Sequence, residues 1–126
     1  MLVAGIHHVS INVSDTTRAL DFYCGALGLV QLPRPDFAFG GAWLDAGHGR
    51  QVHLIEGDVP PALGQHVAFQ VDDVDHVVHQ LRAKGLTIDD AKSVGNTTTR
   101  QAFTNDPDGN LVEFTQIAPR VLHRTA

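Results

Sequence analysis

The sequence predicts an α+β fold of two tandem β-α-β-β-β modules, and an internal repeat carries that prediction. The stretch His66-Val67-Ala68-Phe69-Gln70-Val71, followed by Asp72-Asp73, alternates apolar and polar residues as a half-buried strand does. The stretch His8-Val9-Ser10-Ile11-Asn12-Val13, followed by Ser14-Asp15, has the same pattern nearly half a chain earlier. Such self-similarity indicates a duplicated structural unit. We therefore expect one domain over residues 1–126, with module one at 1–58 and module two at 64–118.

Module one is expected to begin with a strand over residues 5–13 and to continue with a helix. Asp15 is a typical helix N-cap, and Gly28 is typical of a helix end. Between them, four residues recur at helical spacing and predict the buried stripe: Leu20, Tyr23, Cys24 and Leu27. Three strands are then expected over residues 29–32, 37–44 and 51–55. Gly40-Gly41 interrupts the second of these strands, which indicates a bulge or bend.

Module two repeats this plan after a linker-like segment at residues 57–64 that contains Pro60-Pro61. Asp73 is expected to cap a helix that Gly85 ends, and the buried stripe of that helix is Val74, Val77, Val78 and Leu81. The strands of this module are expected over residues 66–71, 86–88, 97–104 and 111–117. Residues 106–110, Asp-Pro-Asp-Gly-Asn, form a strong turn signal. The tail from Pro119 onward is expected to be irregular.

Composition and charge exclude several classes of function. The net charge of −5 argues against nucleic acid as a partner, because no basic patch would offset phosphate repulsion. No apolar stretch approaches the roughly 20 residues of a membrane span, and no signal peptide is visible at the N-terminus. The single cysteine, Cys24, excludes an internal disulfide and suits a reducing cytosol. These features predict a cytoplasmic protein whose partner is a small molecule.

Strand alternation brings four candidate ligands to one concave face. His8 and His66 lie opposite the apolar face of the first strand in each module, and that apolar face must pack on the helix. In the last strands, the same parity turns His53 and Glu113 away from the helix. The two curved mixed sheets would then enclose a metal site, since imidazoles and a carboxylate are competent ligands of first-row metals. His7 is expected to point away from His8 by strand parity.

Other polar and aromatic residues near this face are weaker candidates. Trp43 and Phe103 occupy equivalent positions of the repeat, so each is either a wall of the cavity or an ordinary core aromatic. Arg100 lies on a strand near the site, where it is either a clamp for an anionic substrate or a surface arginine. His53 is a ligand, a base or a substrate contact. An imidazole with an ordinary pKa of about 6.5 can bind a metal or accept a proton, and it can also hydrogen-bond a substrate.

These motifs together resemble the vicinal oxygen chelate superfamily, which includes glyoxalase I, fosfomycin-resistance proteins, extradiol dioxygenases and bleomycin-resistance proteins. The resemblance covers residues 6–117 and rests on His8-Val9 before Asp15, Phe22-Tyr23 before Leu27-Gly28-Leu29, His66-Val67-Ala68-Phe69, and the 106–110 turn that leads to Glu113. It implies that His8, His66 and Glu113 each occupy a metal-ligand position. It also implies a divalent ion, with zinc, nickel, iron(II) and manganese all open, that takes two oxygens of the substrate.

The residue at position 53 separates the subfamilies. Proteins similar to glyoxalase I carry there a glutamate that is both ligand and base, whereas this chain carries a histidine. Fosfomycin-resistance proteins resemble the chain in the His, His, Glu set and in a hydroxyl two residues after the first ligand, here Ser10. The resemblance therefore implies a metal-dependent lyase, isomerase or transferase with Glu113 or His53 as base, and a homodimer. The alternatives are a small dioxygenase and a non-catalytic protein that sequesters a small molecule.

Overall fold

The computed structural model describes residues 1–117, and these residues fold into two compact units. Unit 1 comprises Met1–Gln65 together with Asn105–Asn110, and unit 2 comprises His66–Thr104 together with the described residues from Leu111 to Ile117. Each unit contains one four-stranded mixed sheet and a helical region. The predicted α+β class and the repeated β-α-β-β-β plan are thereby confirmed. The exact module boundaries at 58 and 64 stay a prediction.

In unit 1 the strands flank one continuous helical region. The strands are β1 (His8–Val13), β2 (Val30–Leu32), β3 (Gly41–Asp45) and β4 (Gln51–Glu56), and their order in the sheet is β1-β4-β3-β2. β1 runs parallel to β4, while β3 is antiparallel to both β2 and β4. The helical region consists of α1 (Thr16–Leu20) and a π-helical turn (Asp21–Ala26).

Unit 2 has the same topology. Its elements are β5 (His66–Gln70), α2 (Val74–Ala83), β6 (Lys92–Ser93), β7 (Arg100–Asn105) and β8 (Leu111–Gln116). The sheet order is β5-β8-β7-β6, and β5 runs parallel to β8 as β1 does to β4. Residues 86–88, which were predicted to form a strand, instead contribute a single bridge between Ile88 and Thr104.

The first helical region begins as predicted but buries a different stripe. The Asp15 carboxylate caps it by accepting a hydrogen bond from the backbone N–H of Arg18 at 3.0 Å. The buried residues are Ala19, Phe22 and Tyr23, whereas Leu20, Cys24 and Leu27 are only half-buried. The reason is the π turn, since each i→i+5 hydrogen bond adds a residue to the turn and rotates the following side chains. The predicted stripe is therefore wrong except at Tyr23.

The second helix follows its prediction closely. The Asp73 carboxylate caps α2 by accepting from the backbone N–H of His76 at 3.1 Å. Three of the four predicted residues of the stripe are buried: Val74, Val78 and Leu81. Gly85 adopts a φ of 86°, the left-handed conformation that ends a helix without the steric cost of a Cβ atom.

The alternation of the strands fixes which face of each sheet is core. In unit 1, residues that are only 0–1% exposed alternate along β3 and β4: Ala42, Leu44, Val52 and Leu54. In unit 2, Val112 and Phe114 of β8 take the same positions, with exposures of 0% and 3%. Each fully buried Val or Leu stabilises the fold by about 1.5–3 kcal/mol. Because successive side chains point to opposite faces, the residues between them are directed away from the core.

β3 starts later than predicted, and Gly41 explains its position. A Cβ atom at Gly41 would overlap the carbonyl oxygen of Leu54 on the neighbouring strand, and Gly41 has a φ of 154°. The bend predicted at Gly40-Gly41 thus corresponds to a close approach of two backbones. Residues before it, from Phe37 to Phe39, form an aromatic cluster rather than the beginning of a strand.

Within residues 1–117 no helix is long and apolar enough to cross a membrane. The tail from Pro119, for which an irregular conformation was expected, lies outside the described residues.

Candidate active site

Two histidines from neighbouring strands of unit 1 stack directly on each other. The rings of His8 on β1 and His53 on β4 have centroids 3.9 Å apart and lie within 15° of parallel. The parallel register pairs Ser10 with His53, so Ser10 lies on the same strand face as the two histidines. This face is opposite the one that buries Val52 and Leu54. The prediction that His8 and His53 share a face is confirmed.

Trp43 and Gln51 hold the ring of His53 from two further directions. Trp43 is the antiparallel partner of His53, and the two rings stack at 4.5 Å with 9° between their planes. His53 therefore lies between Trp43 on one side and His8 on the other. The Oε1 atom of Gln51 accepts a hydrogen bond of 2.8 Å from Nε2 of His53. Sequence reasoning did not identify Gln51, although its spacing of two residues from His53 places both on one face.

His7 belongs to this cluster, so the expectation that it points away from His8 is wrong. Its Nδ1 atom lies 2.9 Å from Nδ1 of His8, and the two rings meet edge to face at 5.1 Å. His7 does not follow the parity of β1, because β1 begins at His8 and His7 precedes the regular strand. Strand alternation applies only inside a strand.

The environment of His53 favours the neutral form of its imidazole. Burial lowers the pKa of His53 below its ordinary value of 6.5, and the neighbouring imidazoles of His8 and His7 lower it further. Burial acts in this direction because it disfavours the charged form of the ring. A neutral imidazole has one nitrogen with a lone pair, which can accept a proton or bind a metal.

An aromatic cluster that the sequence did not reveal extends this site within unit 1. The rings of Phe37 and Phe39 stack with centroids 5.2 Å apart, and the ring centroid of Phe37 lies 6.1 Å from that of Trp43. The guanidinium carbon of Arg34 lies 4.7 Å from the Phe37 ring centroid and 5.2 Å from that of Phe39, which is cation–π geometry. Phe37 and Phe39 are 40% and 48% exposed. The cluster is therefore a partly exposed apolar surface beside Trp43.

In unit 2 the second predicted pair is in direct contact. Nε2 of His66 on β5 lies 2.8 Å from Oε1 of Glu113 on β8. The Glu113 side chain is 13% exposed, and it faces away from Val112 and Phe114 as its strand parity predicts. The Phe103 ring meets the His66 ring edge to face at 5.7 Å. Trp43 and Phe103, equivalent in the repeat, thus each contact a histidine of the candidate site.

Arg100 lies on the other face of its sheet. It shares its parity on β7 with the buried residues Ala102 and Thr104, and its guanidinium donates two hydrogen bonds to the Asp75 carboxylate of α2. The shorter of these is 2.8 Å. Of the two roles considered for Arg100, this geometry disfavours the clamp for an anionic substrate near the site. An arginine already paired with a carboxylate is better explained as support for the contact between helix and sheet.

The chemistry of the paired side chains suits a divalent metal, but each pair alone supplies only two donors. Imidazole nitrogens and a carboxylate oxygen are the usual ligands of zinc, nickel, iron(II) and manganese. Within residues 1–117, no three His, Cys, Asp or Glu side chains form a group that could hold a metal ion. The joining of His8, His53, His66 and Glu113 into one centre stays a prediction.

Comparison with known proteins places the whole repeat in one family. The family model described as the Glyoxalase/Bleomycin resistance protein/Dioxygenase superfamily matches residues 5–114. A probable lactoylglutathione lyase of Synechocystis is 30% identical, over 90% of this chain and 95% of its own. The lactoylglutathione lyase of Neisseria meningitidis is 30% identical, over 86% of this chain and 88% of its own.

Solved structures agree on the fold. A putative glyoxalase family protein of Bacillus anthracis superimposes with a TM-score of 0.83 at 24% identity, covering 93% of this chain and 98% of its own. TnmS3, an antibiotic binding protein of Streptomyces, gives 0.74 at 27% identity, with 94% and 99% covered. The fosfomycin resistance protein FosX of Listeria monocytogenes, solved with Mn(II), gives 0.79 at 18% identity, with 94% and 95% covered. The duplicated fold and the match over residues 5–114 show that this chain belongs to the Glyoxalase/Bleomycin resistance protein/Dioxygenase superfamily.

Proposed function

We propose that this chain is a divalent-metal-dependent, glyoxalase-like lyase that acts on a small substrate bound to the metal through two oxygens. The observation that supports this most is the contact between His66 and Glu113 at 2.8 Å, which unites two ligand types on the face away from the core. The lactoylglutathione lyases of Synechocystis and Neisseria meningitidis, each 30% identical, favour a lyase over the other chemistries of the superfamily.

The proposed ligands are His8, His66 and Glu113, with His53 as a fourth. Their assignment to one centre is supported by the internal repeat, which gives each module a histidine on its first strand and a second donor on its last. A divalent ion held there would supply Lewis-acid polarisation of the substrate oxygens. For Nε2 of His66 to become a ligand, the hydrogen atom that it shares with Glu113 would have to move, and Nδ1 of the same ring can carry it.

Within this proposal, His53 and Glu113 are the candidates for moving a proton of the substrate. Burial and the neighbouring imidazoles lower the pKa of His53, which favours the neutral ring that a general base requires. Glu113 has the alternative of accepting a proton on the oxygen that does not bind the ion. Trp43, Phe103 and Ser10 share the faces that carry these groups, and we propose that they line the substrate pocket. The homodimer and the cytoplasmic location also remain proposals.

Two measurements test this function: the metal content of the purified protein and its ability to form S-lactoylglutathione. We expect purified protein to bind about one equivalent of zinc, nickel, iron(II) or manganese, and His66→Ala and Glu113→Gln to lose most of it. His79→Ala, which removes an exposed histidine of α2, is the matched control and should retain the metal. The loaded protein should form S-lactoylglutathione from glutathione and methylglyoxal. Full metal retention in both His66→Ala and Glu113→Gln would contradict the ligand assignment.

A second candidate function is sequestration of a small molecule without catalysis. It is favoured by the exposed cluster of Phe37 and Phe39 and by the 27% identity to the antibiotic binding protein TnmS3. The same metal assay separates the two functions. Absence of bound metal, together with no rise in melting temperature when the four ions are added, would favour sequestration.

A further inference from the structure

We propose that Gln51 is a positioning residue that fixes His53 in the tautomer with hydrogen on Nε2 and leaves Nδ1 as its open nitrogen. The contact that carries this inference is the 2.8 Å hydrogen bond between Nε2 of His53 and Oε1 of Gln51. Sequence reasoning left the role of His53 open between ligand, base and substrate contact. The tautomer decides which ring atom can perform any of these roles.

The direction of this hydrogen bond follows from the chemistry of its two partners. An amide oxygen can only accept, so the hydrogen atom must belong to the imidazole nitrogen. Gln51 and His53 are two residues apart on β4, and their side chains therefore project from the same face of the strand. Both are half-buried, which limits the competition of water for the amide oxygen.

Stacking on both faces of the ring prevents His53 from turning away from Gln51. Trp43 covers one face at a centroid distance of 4.5 Å and His8 covers the other at 3.9 Å, with both planes within 15° of the His53 ring. Rotation of the imidazole out of this plane would separate both stacked pairs. The stack thus sets the plane of the ring, and Gln51 sets which edge carries the hydrogen.

This inference rests on the proposed function for its consequence in catalysis. If His53 accepts a proton or binds the ion, it does so through Nδ1, because Nε2 already carries a hydrogen that Gln51 holds. His8 has the opposite arrangement, since its Nδ1 is engaged by Nδ1 of His7 at 2.9 Å and its Nε2 is outside that contact. The two stacked histidines would then present different nitrogens to the substrate pocket. In metal-binding histidines, a hydrogen bond to the ring nitrogen that does not bind the metal commonly orients the ring.

Nitrogen-15 NMR of the imidazole rings tests the tautomer directly. In metal-free protein at mildly alkaline pH, where the ring is neutral, we expect widely separated shifts for His53, with Nε2 of the protonated type and Nδ1 of the lone-pair type. Gln51→Leu removes the acceptor and should bring the two shifts toward each other as the tautomers interconvert. Gln51→Glu keeps an acceptor oxygen and should preserve the wild-type pattern.

The matched control is Gln31→Leu, which makes the same replacement at an exposed position of β2 and should leave both His53 shifts unchanged. A wild-type pattern with the hydrogen on Nδ1, or identical shifts in wild type and Gln51→Leu, would overturn the inference. The measurement needs neither metal nor substrate. A failed lyase assay would therefore refute the proposed function while leaving the tautomer assignment standing, and the reverse also holds.

Discussion

Replacing Asp106 by alanine should destabilise unit 1 more than almost any other substitution of a polar residue. Asp106 is 4% exposed and lies in the turn at residues 105–110 that belongs to unit 1. Its carboxylate accepts four hydrogen bonds, from the Tyr23 hydroxyl at 2.7 Å and from three N–H groups at 2.9 Å, namely the backbone N–H groups of Asp108 and Asn110 and the side-chain amide of Asn110. Removal of the carboxylate breaks all four of these hydrogen bonds.

The expected magnitude follows from the asymmetry between making and breaking a buried polar contact. Each hydrogen bond to a charged acceptor contributes about 1.5–3 kcal/mol, and each buried donor that loses its partner costs about 1–3 kcal/mol. The turn amides regain some solvation from water, so we expect Asp106→Ala to lower the free energy of unfolding by about 3 kcal/mol. Tyr23→Phe removes only one of the four bonds and should cost about 1 kcal/mol.

Urea denaturation followed by circular dichroism measures this loss. The transition midpoint should fall while the m-value stays constant, since the surface exposed on unfolding is unchanged. Asp58→Ala, at an exposed aspartate of the same unit, is the control and should change stability by less than about 0.5 kcal/mol. If Asp106→Ala cost no more than Asp58→Ala, the carboxylate would not hold the turn and the reasoning would fail.

Two further predictions concern the same unit. Burial and the neighbouring carboxylates of Asp106 and Asp108 raise the pKa of Tyr23 well above its ordinary value of 10.0. The protonated phenol therefore contributes its full stabilisation below pH 10, and this stabilisation is lost as the pH rises further, because the unfolded chain ionises first. Tyr23 is the only tyrosine, and phenolate absorbance should therefore appear only as circular dichroism reports unfolding; titration near pH 10 in folded protein would contradict this. Gly41→Ala should cost about 3 kcal/mol in thermal or urea unfolding, because its methyl group would overlap the carbonyl of Leu54. Gly57→Ala has open space and should be neutral, so equal effects of the two substitutions would refute the overlap.

The sequence predicted the fold well wherever a strict period governed the chain. Alternation identified β1, β4, β5 and β8 and the face that each one buries, because a strand with one buried side cannot shift its register. The prediction was wrong where a local departure from regular geometry changed the spacing of the buried residues. The π turn after Leu20 replaced Cys24 by Phe22 in the core, and the close approach at Gly41 delayed the start of β3.

The candidate site was predictable in its strand residues and not in the residues that flank them. His8, His53, His66 and Glu113 follow from parity and duplication. His7 was missed because it precedes the regular strand, and Gln51 was missed although its two-residue spacing from His53 puts both on one face; both make hydrogen bonds between side chains. The role of Arg100 stayed open because its parity with Ala102 was not used; that parity assigns it to the helix side.

The turn at residues 105–110 makes the folding of unit 1 depend on a distant part of the chain. Tyr23 and Asp106 are 83 residues apart, and Asn12 and Asn110, whose amide donates to the Asn12 carbonyl, are 98 apart. Contacts of such long range are slow to form, since closing the intervening loop costs entropy before the contact repays it. A growing polypeptide cannot complete this unit until residue 110 has left the ribosome. Although the chain is a duplication, the first half of the sequence therefore obtains its full set of contacts only from a turn in the second half.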